Sequence, residues 1–172
     1  MLKTIRTKER NADGKRFAIV ASRYNGRYVN GMLRAARAVL KQASADSVRV
    51  VRVPGAFEIP VVVAKLARDC KPPLSAVICL GVILRGETTH AQHIGEGVSN
   101  ALAQIQITHR VPIIHEVLLL ETEGQARVRC LSKTHNRGAE AACTAIEMAR
   151  TMDELDRMIS PHRRERNDDA AQ

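Results

Sequence analysis

The chain has 172 residues, enough for one domain with a sizeable hydrophobic core. It is 45% apolar but has only Phe17, Tyr24, Tyr28 and Phe57 as aromatics, which suits an aliphatic parallel sheet under helices and argues against an aromatic-rich β-sandwich. The net charge of +9 invites a nucleic-acid reading, yet no recognition motif, zinc pattern or aromatic-interleaved basic stripe accompanies it, so a solvated surface that attracts small anions explains it better.

Residues 1–15 are polar, with Leu2 and Ile5 as apolar anchors, and read as an N-terminal arm. Residues 16–21 form the first buried strand and end in the turn cluster Ser22, Arg23, Tyr24, Asn25 and Gly26. Val29, Met32, Leu33, Ala36, Val39 and Leu40 recur at three- and four-residue spacing, which makes one face of a helix. A second strand, 48–53, is closed by Pro54, Gly55, Ala56, Phe57 and Glu58, and Pro60 suits the first turn of the next helix. Lys71, Pro72 and Pro73 stop that helix near residue 69. The third strand spans 74–80 and leads into a polar turn, 81–89, before a helix whose apolar face carries Ile94, Val98, Ala101, Leu102 and Ile105. Residues 111–120 are a fourth strand, the polar stretch 121–132 begins another helix, and Asn136, Arg137 and Gly138 mark a turn. A last helix covers 139–158, with Ala142, Ala145, Ile146, Ala149 and Met152 inward.

This alternation predicts one α/β domain over residues 16–158: a three-layer α-β-α sandwich around a mainly parallel four-stranded sheet. The arm 1–15 precedes it and a polar tail, 159–172, follows. Cys70, Cys79, Cys130 and Cys143 form no CxxC pair, so neither a metal centre nor a disulfide framework is expected. No signal-like region opens the chain and no apolar run approaches membrane-spanning length, so the expectation is a cytoplasmic protein without membrane contact.

In a parallel sheet the carboxyl ends of the strands share one edge, where open α/β folds bind ligands. Four ends of unusual chemistry are expected there: Arg23 to Asn25, Gly55 to Glu58, Arg85 to His90, and the run through His115 towards Arg129. Tyr24 and Phe57 can flank a flat ring, Glu58 can accept hydrogen bonds from hydroxyls, and Arg129 can bind an anion through its planar fork. His90 can move protons near neutral pH. With no nucleophile elbow, phosphate-binding glycine loop or dinucleotide fingerprint, nucleotide hydrolysis and hydride transfer have no support, and proton-transfer chemistry on a phosphorylated small molecule stays open.

The stretches Ser22-Arg23-Tyr24-Asn25, Val53-Pro54-Gly55-Ala56-Phe57-Glu58-Ile59-Pro60, 81–90 and Asn136-Arg137-Gly138-Ala139-Glu140-Ala141 resemble, in order and spacing, the lumazine synthase family of riboflavin synthesis. The resemblance covers about residues 16–155. It implies a flavodoxin-like fold and a transferase that condenses 5-amino-6-(D-ribitylamino)uracil with 3,4-dihydroxy-2-butanone 4-phosphate. The products are 6,7-dimethyl-8-ribityllumazine, phosphate and water, with no metal or organic cofactor. By the same resemblance Tyr24 stacks on the pyrimidine, and Ala56, Phe57 and Glu58 hold the ribityl chain. Val82, Ile83 and Leu84 run along the ring, and His115 lines its pocket. Glu87, Thr88 and Arg129 take the butanone phosphate, His90 is the general acid/base, and Arg137 and Glu140 are secondary positions.

The resemblance further implies homopentamers with each site between neighbouring subunits, and an N-terminal segment adding a strand to the adjacent sheet. Some members pack twelve pentamers into a sixty-subunit shell, and residues 132–138 carry no insertion of the kind found in pentamer-only members. Riboflavin synthase is a candidate partner for the basic tail. This chain departs from the family pattern at His115 (commonly Phe), Glu116 (Gly), Ala91 (an aromatic), Leu119 and Leu120 (polar) and Arg137 (Lys). Ala91, His115 and Glu116 motivate the rival reading, a relative that binds a lumazine- or flavin-like ring without catalysis or with altered specificity.

Overall fold

Apolar runs that alternate at every second residue give way, again and again, to segments with one apolar stripe, and the chain folds accordingly. The computed structural model describes residues 11–160. Its elements are β1 (Arg16–Ser22), α1 (Gly26–Gln42), β2 (Ser47–Val53), α2 (Ile59–Asp69), β3 (Ala76–Leu84), α3 (His90–His109), β4 (Ile113–Leu120), α4 (Glu123–Leu131) and α5 (Arg137–Ile159). The strands form one sheet in the order β2-β1-β3-β4, and every pair is parallel. The three-layer sandwich read from the sequence is the observed fold, with a sheet that is parallel throughout.

Strand alternation divides the core in two. Phe17, Ile19, Ala21, Ile78 and Leu80 face α1, α4 and α5, against Val29, Met32, Leu40, Ala126, Ala142 and Ile146. Ala18, Val20, Val77 and Cys79 face the other way, against Ile59 and Val63 of α2 and Val98 and Leu102 of α3. Both faces of β1 and β3 are therefore sealed, which explains why these strands read as nearly continuous apolar runs. Ala12 is also buried, and its N–H donates to the Ala43 carbonyl at 2.7 Å, tying the entry to β1 onto the end of α1. Lys15 pairs with Asp153 of α5.

Two boundaries differ from expectation. β3 runs on to Leu84, because Val82 and Leu84 continue the inward alternation of Leu80; residues 81–84 are strand and not turn. Asn136 starts a helix where a turn was expected: its Oδ1 accepts the Gly138 N–H at 2.9 Å, the bond of an N-cap. Met152 is half-buried and no core residue. Residues 1–10 and 161–172, with Ile5 of the expected arm strand and the arginine cluster of the tail, lie outside the described residues. Among the described residues no helix is long and apolar enough to cross a membrane.

The start of α5 packs tightly on α1. A Cβ added to Gly138 would overlap the backbone of Met32 in α1, including its carbonyl. Backbone cannot yield as a flexible side chain does, so Gly138→Ala is expected to destabilise the fold by about 1–3 kcal/mol through overpacking. Denaturant midpoints measure this, and an unchanged midpoint contradicts the packing described.

Candidate active site

The sheet order reverses between β1 and β3: the chain leaves β1 towards β2 and later crosses back to β3. That reversal opens a crevice at the carboxyl ends of the two strands. Three loops are stitched together there. The Arg23 N–H donates to the Val53 carbonyl at 2.8 Å and the Tyr24 N–H to the Pro54 carbonyl at 3.0 Å, joining the ends of β1 and β2. Asn25 is left-handed at φ 53° and ψ 37°, a conformation that asparagine tolerates better than most residues. Its Nδ2 donates to the Val82 carbonyl at 2.8 Å and joins β1 to β3.

These bonds hold two aromatic rings in the open. Tyr24 is 71% exposed and Phe57 63%, a large fraction of solvent-facing aromatic surface for a chain so poor in aromatics. Gly55 makes the arrangement fit: a Cβ there would sit 3.1 Å from the Tyr24 ring and 2.8 Å from Glu58 Oε2. That same Glu58 oxygen accepts the Gly55 N–H at 2.8 Å, so one carboxylate oxygen is fixed at the crevice. Phe57 reaches across to α3, where a Cβ on Gly97 would lie 3.5 Å from its ring. Ala56 and Val82 are buried beneath, and Ile83 and Leu84 are half-buried.

Glu87, Thr88 and His90 are exposed on the same edge, at the start of α3. Thr88 Oγ1 accepts the His90 N–H at 3.4 Å, whereas Thr89 gives the helix no side-chain cap. No acidic residue lies in the first turn of this helix, so its amino end favours an anion. Arg85 is engaged elsewhere: its N–H donates to the Leu120 carbonyl at 2.9 Å, and its Nε lies 3.3 Å from Glu121. It links β3 to the end of β4, and His93 is exposed one turn into α3.

His115 is not on this edge, which corrects the expectation that it stands with the strand ends there. It pairs in register with Cys79 and precedes Leu120, the end of β4, by five residues. At a rise of ~3.3 Å per residue it lies ~16 Å short of the end of β4, although β1, the shorter neighbour of β3, ends only two residues beyond its level. β4 is also an outer strand, so His115 is exposed on the open side of the sheet. Ser99 Oγ donates to the Gly95 carbonyl at 2.7 Å and lies 2.9 Å from His115 Nε2. A groove of about 560 Å³ runs between α3 and β4, lined by Ser99, Asn100, Val117 and Leu119 among others.

Glu116 points the opposite way, between β4 and α5, and is 5% exposed. Arg137 grips it with both prongs, Nη2 to Oε1 at 2.6 Å and Nε to Oε2 at 3.0 Å, and holds Glu140 Oε2 through Nη1 at 2.6 Å. Burial raises the Glu116 carboxyl above its ordinary value, more than Arg137 beside it and the more distant Arg129 draw it down. Burial lowers the Arg137 guanidinium, but Glu116 and Glu140 outweigh it and the group is raised. Arg129, exposed in the last turn of α4, joins this group and not the crevice.

Of the expected site residues, Tyr24, Ala56, Phe57, Glu58, Val82, Ile83 and Leu84 lie around the crevice, with Glu87, Thr88 and His90 on the same edge. His115 lies on the α3 face of β4, whereas Arg129, Arg137 and Glu140 group around Glu116 on its α5 face. Sequence reasoning missed the bond from Asn25 to Val82 and the bidentate pairing of Glu116 with Arg137. A carboxylate at an inward position of an apolar strand was itself a signal, since it needs a partner when buried. Among the described residues no group of three or more His, Cys, Asp or Glu is arranged to hold a metal ion.

The chain matches the family model of 6,7-dimethyl-8-ribityllumazine synthase over residues 14–153. It is 42% identical over 146 residues to the protein of that name from Desulfotalea psychrophila, covering 84% of this chain and 93% of the relative. The Salinibacter ruber protein of the same name is 41% identical over 146 residues, covering 84% and 92%. The Clostridium kluyveri one is 38% identical over 148 residues, covering 85% and 95%.

A carboxyl whose pKa is higher folded than unfolded binds protons on folding. Its contribution to stability is therefore full below the ordinary value of 4.5 and declines as pH rises through the raised value. Glu116→Gln removes this titration. Wild-type minus variant unfolding free energy is expected to decline from pH 4.5 upward through that window. A difference that stays flat or climbs contradicts burial as the dominant influence on Glu116.

Proposed function

Because the chain belongs to the 6,7-dimethyl-8-ribityllumazine synthase family, we propose that the crevice of one subunit and the β4 cluster of its neighbour make one active site for the family's reaction. The reaction is the condensation of 5-amino-6-(D-ribitylamino)uracil with 3,4-dihydroxy-2-butanone 4-phosphate, the penultimate step of riboflavin synthesis. The observation that carries this reading is the crevice itself, where an exposed Tyr24 ring lies over Gly55 beside a fixed Glu58 carboxylate. A flat heterocycle bearing a polyhydroxyl chain needs that pair of features: a ring to stack on and a carboxylate to accept from hydroxyls.

Joining an aryl amine to a ketone needs no strong nucleophile from the protein. It needs the two reactants oriented together and protons moved between them. Tyr24 and Phe57 hold the ring of the uracil, Glu58 accepts from its ribityl hydroxyls, and the edge Val82 to Leu84 runs beside it. Glu87 and Thr88, at the amino end of α3, face the phosphate together with Arg129 of the neighbour. His90 takes the amine proton as the imine forms and returns one as water leaves; it then assists the loss of phosphate. His115 of the neighbour closes the ring pocket with a flat side chain, and Arg137 and Glu140 sit behind it.

What supports a shared site is placement: His115 and Glu116 lie on β4, and β3 separates that strand from the β1 loop that carries Tyr24. A closed ring of subunits satisfies this need with one repeated contact. The homopentamer is that ring, alone or as part of a sixty-subunit shell, in the cytoplasm, and riboflavin synthase is a partner by metabolic sequence.

The test is to mix both substrates with the protein and follow lumazine absorbance above the spontaneous rate. A folded protein that adds nothing to that rate leaves the ring-binding alternative. His90→Ala is expected to slow turnover by about tenfold, below the ~100-fold usual for a general acid/base, because the uncatalysed condensation already proceeds. Arg129→Ala is expected to raise the KM for the butanone phosphate by about tenfold, the loss of one charge-assisted hydrogen bond. An unchanged KM contradicts its role.

A further inference from the structure

Lys65 and Arg68 on α2, Arg127 on α4 and Arg150 on α5 each lie beside a carboxylate of their own helix. Helix α1 differs. It contains no Asp or Glu, and its exposed face carries Arg27, Arg34, Arg37 and Lys41. Among the described residues none of these four forms an ion pair. Arg34, Arg37 and Lys41 stand on successive turns, where like charges repel and weaken a helix. Beside this face runs a groove of about 580 Å³, between α1 and the connection from α4 to α5. The two helices meet closely there: a Cβ on Gly31 would stand 2.5 Å from the Cys130 carbonyl oxygen. Arg34 and Lys133 line the groove, Ala35, Leu131 and Ala139 add apolar surface, and no acidic residue lines it.

We propose that this groove and the adjoining face of α1 form a docking surface for an acidic peptide segment of a partner protein. Its carboxylates meet Arg34 and Lys133 in the groove and Arg37 and Lys41 along the helix. Guanidinium forks and an ammonium group suit carboxylates, and the apolar lining suits the methylenes of glutamate side chains. A bound run of carboxylates also relieves the repulsion that α1 bears alone. From Arg27 to Lys41 the helix rises ~21 Å, the length of about six extended residues. A single nucleic-acid strand is served less well, because Tyr28, the aromatic residue of α1, is buried and no ring on this face can stack on a base. The docking surface contains none of the residues assigned to the reaction.

The test is fluorescence anisotropy of a labelled octaglutamate peptide titrated with the full-length protein at low salt. Octaglutamine and a single-stranded DNA octamer, each labelled alike, are the comparison probes. Octaglutamate is expected to bind, octaglutamine not to bind, and DNA to bind more weakly than octaglutamate, with affinity falling as ionic strength rises. Arg34→Gln combined with Lys133→Gln is expected to weaken octaglutamate binding by about tenfold, the loss of two charge-assisted contacts near the surface. Lys65→Gln combined with Arg68→Gln lowers the net charge equally, but on α2, and is expected to change binding by less than about twofold. Melting temperatures establish that the variants are folded. Should the first not fold, Arg37→Gln combined with Lys41→Gln tests the same face and is expected to weaken binding in the same direction. Failure of octaglutamate to bind means a covered or merely solvated face and overturns the proposal. Equal losses in the α1 and α2 variants reduce it to net charge, and tighter binding of the DNA octamer replaces it with a nucleic-acid surface; either overturns it.

Discussion

The hydrogen bond from Asn25 Nδ2 to the Val82 carbonyl spans the point where the sheet reverses direction. A fully parallel sheet delivers every carboxyl end to one edge, but it does not hold the loops that leave it. Asn25 does so for the two central strands. It adopts the left-handed conformation needed to turn from β1 into α1, and in that pose its amide reaches β3. The adjacent Tyr24 is thereby placed over Gly55, and Glu58 folds back onto the same glycine. The crevice is rigid at its base and open at its aromatic rim, as suits a site that must orient two reactants without covalent help.

The second constraint is the position of β4 at the border of the sheet. β4 ends the sheet, and its side groups look outward or into the α5 face, away from the crevice. His115 lies on β4, with β3 between it and the loop that carries Tyr24. Association of subunits is thus part of the chemistry in this account. The two half-sites are also built differently: hydrogen-bonded backbone fixes the crevice, whereas buried charge fixes the β4 side.

Much of this was legible in the sequence. The continuous apolar run of residues 16–21 and the stripe through Val29, Met32 and Ala36 led directly to β1 and α1. The loop from Pro54 to Glu58 stood out by its glycine, aromatic and carboxylate. Other features needed the fold. Residues 81–84 read as turn because the polar cluster from Arg85 onward coloured them, although the alternation of Leu80, Val82 and Leu84 had not ended. Asn136 and Gly138 suit a turn and an N-cap equally, since both use a short side chain that bonds nearby backbone. The position of His115 depends on strand order, which spacing along the chain does not contain. The pairing of Glu116 with Arg137 crosses 21 residues and two elements, so neither residue announces the other.

A complementation experiment tests the shared site most directly. Glu58→Ala impairs the crevice and Arg129→Ala impairs the β4 side, each in every site of its own assembly. Subunits of the two variants, dissociated, mixed and reassembled, are assayed at low butanone phosphate. A site shared between neighbours predicts that the mixture regains activity that neither variant shows alone, because some interfaces then join two intact halves. Activity no higher than the average of the two separate variants contradicts the account and places both groups in the service of a single subunit.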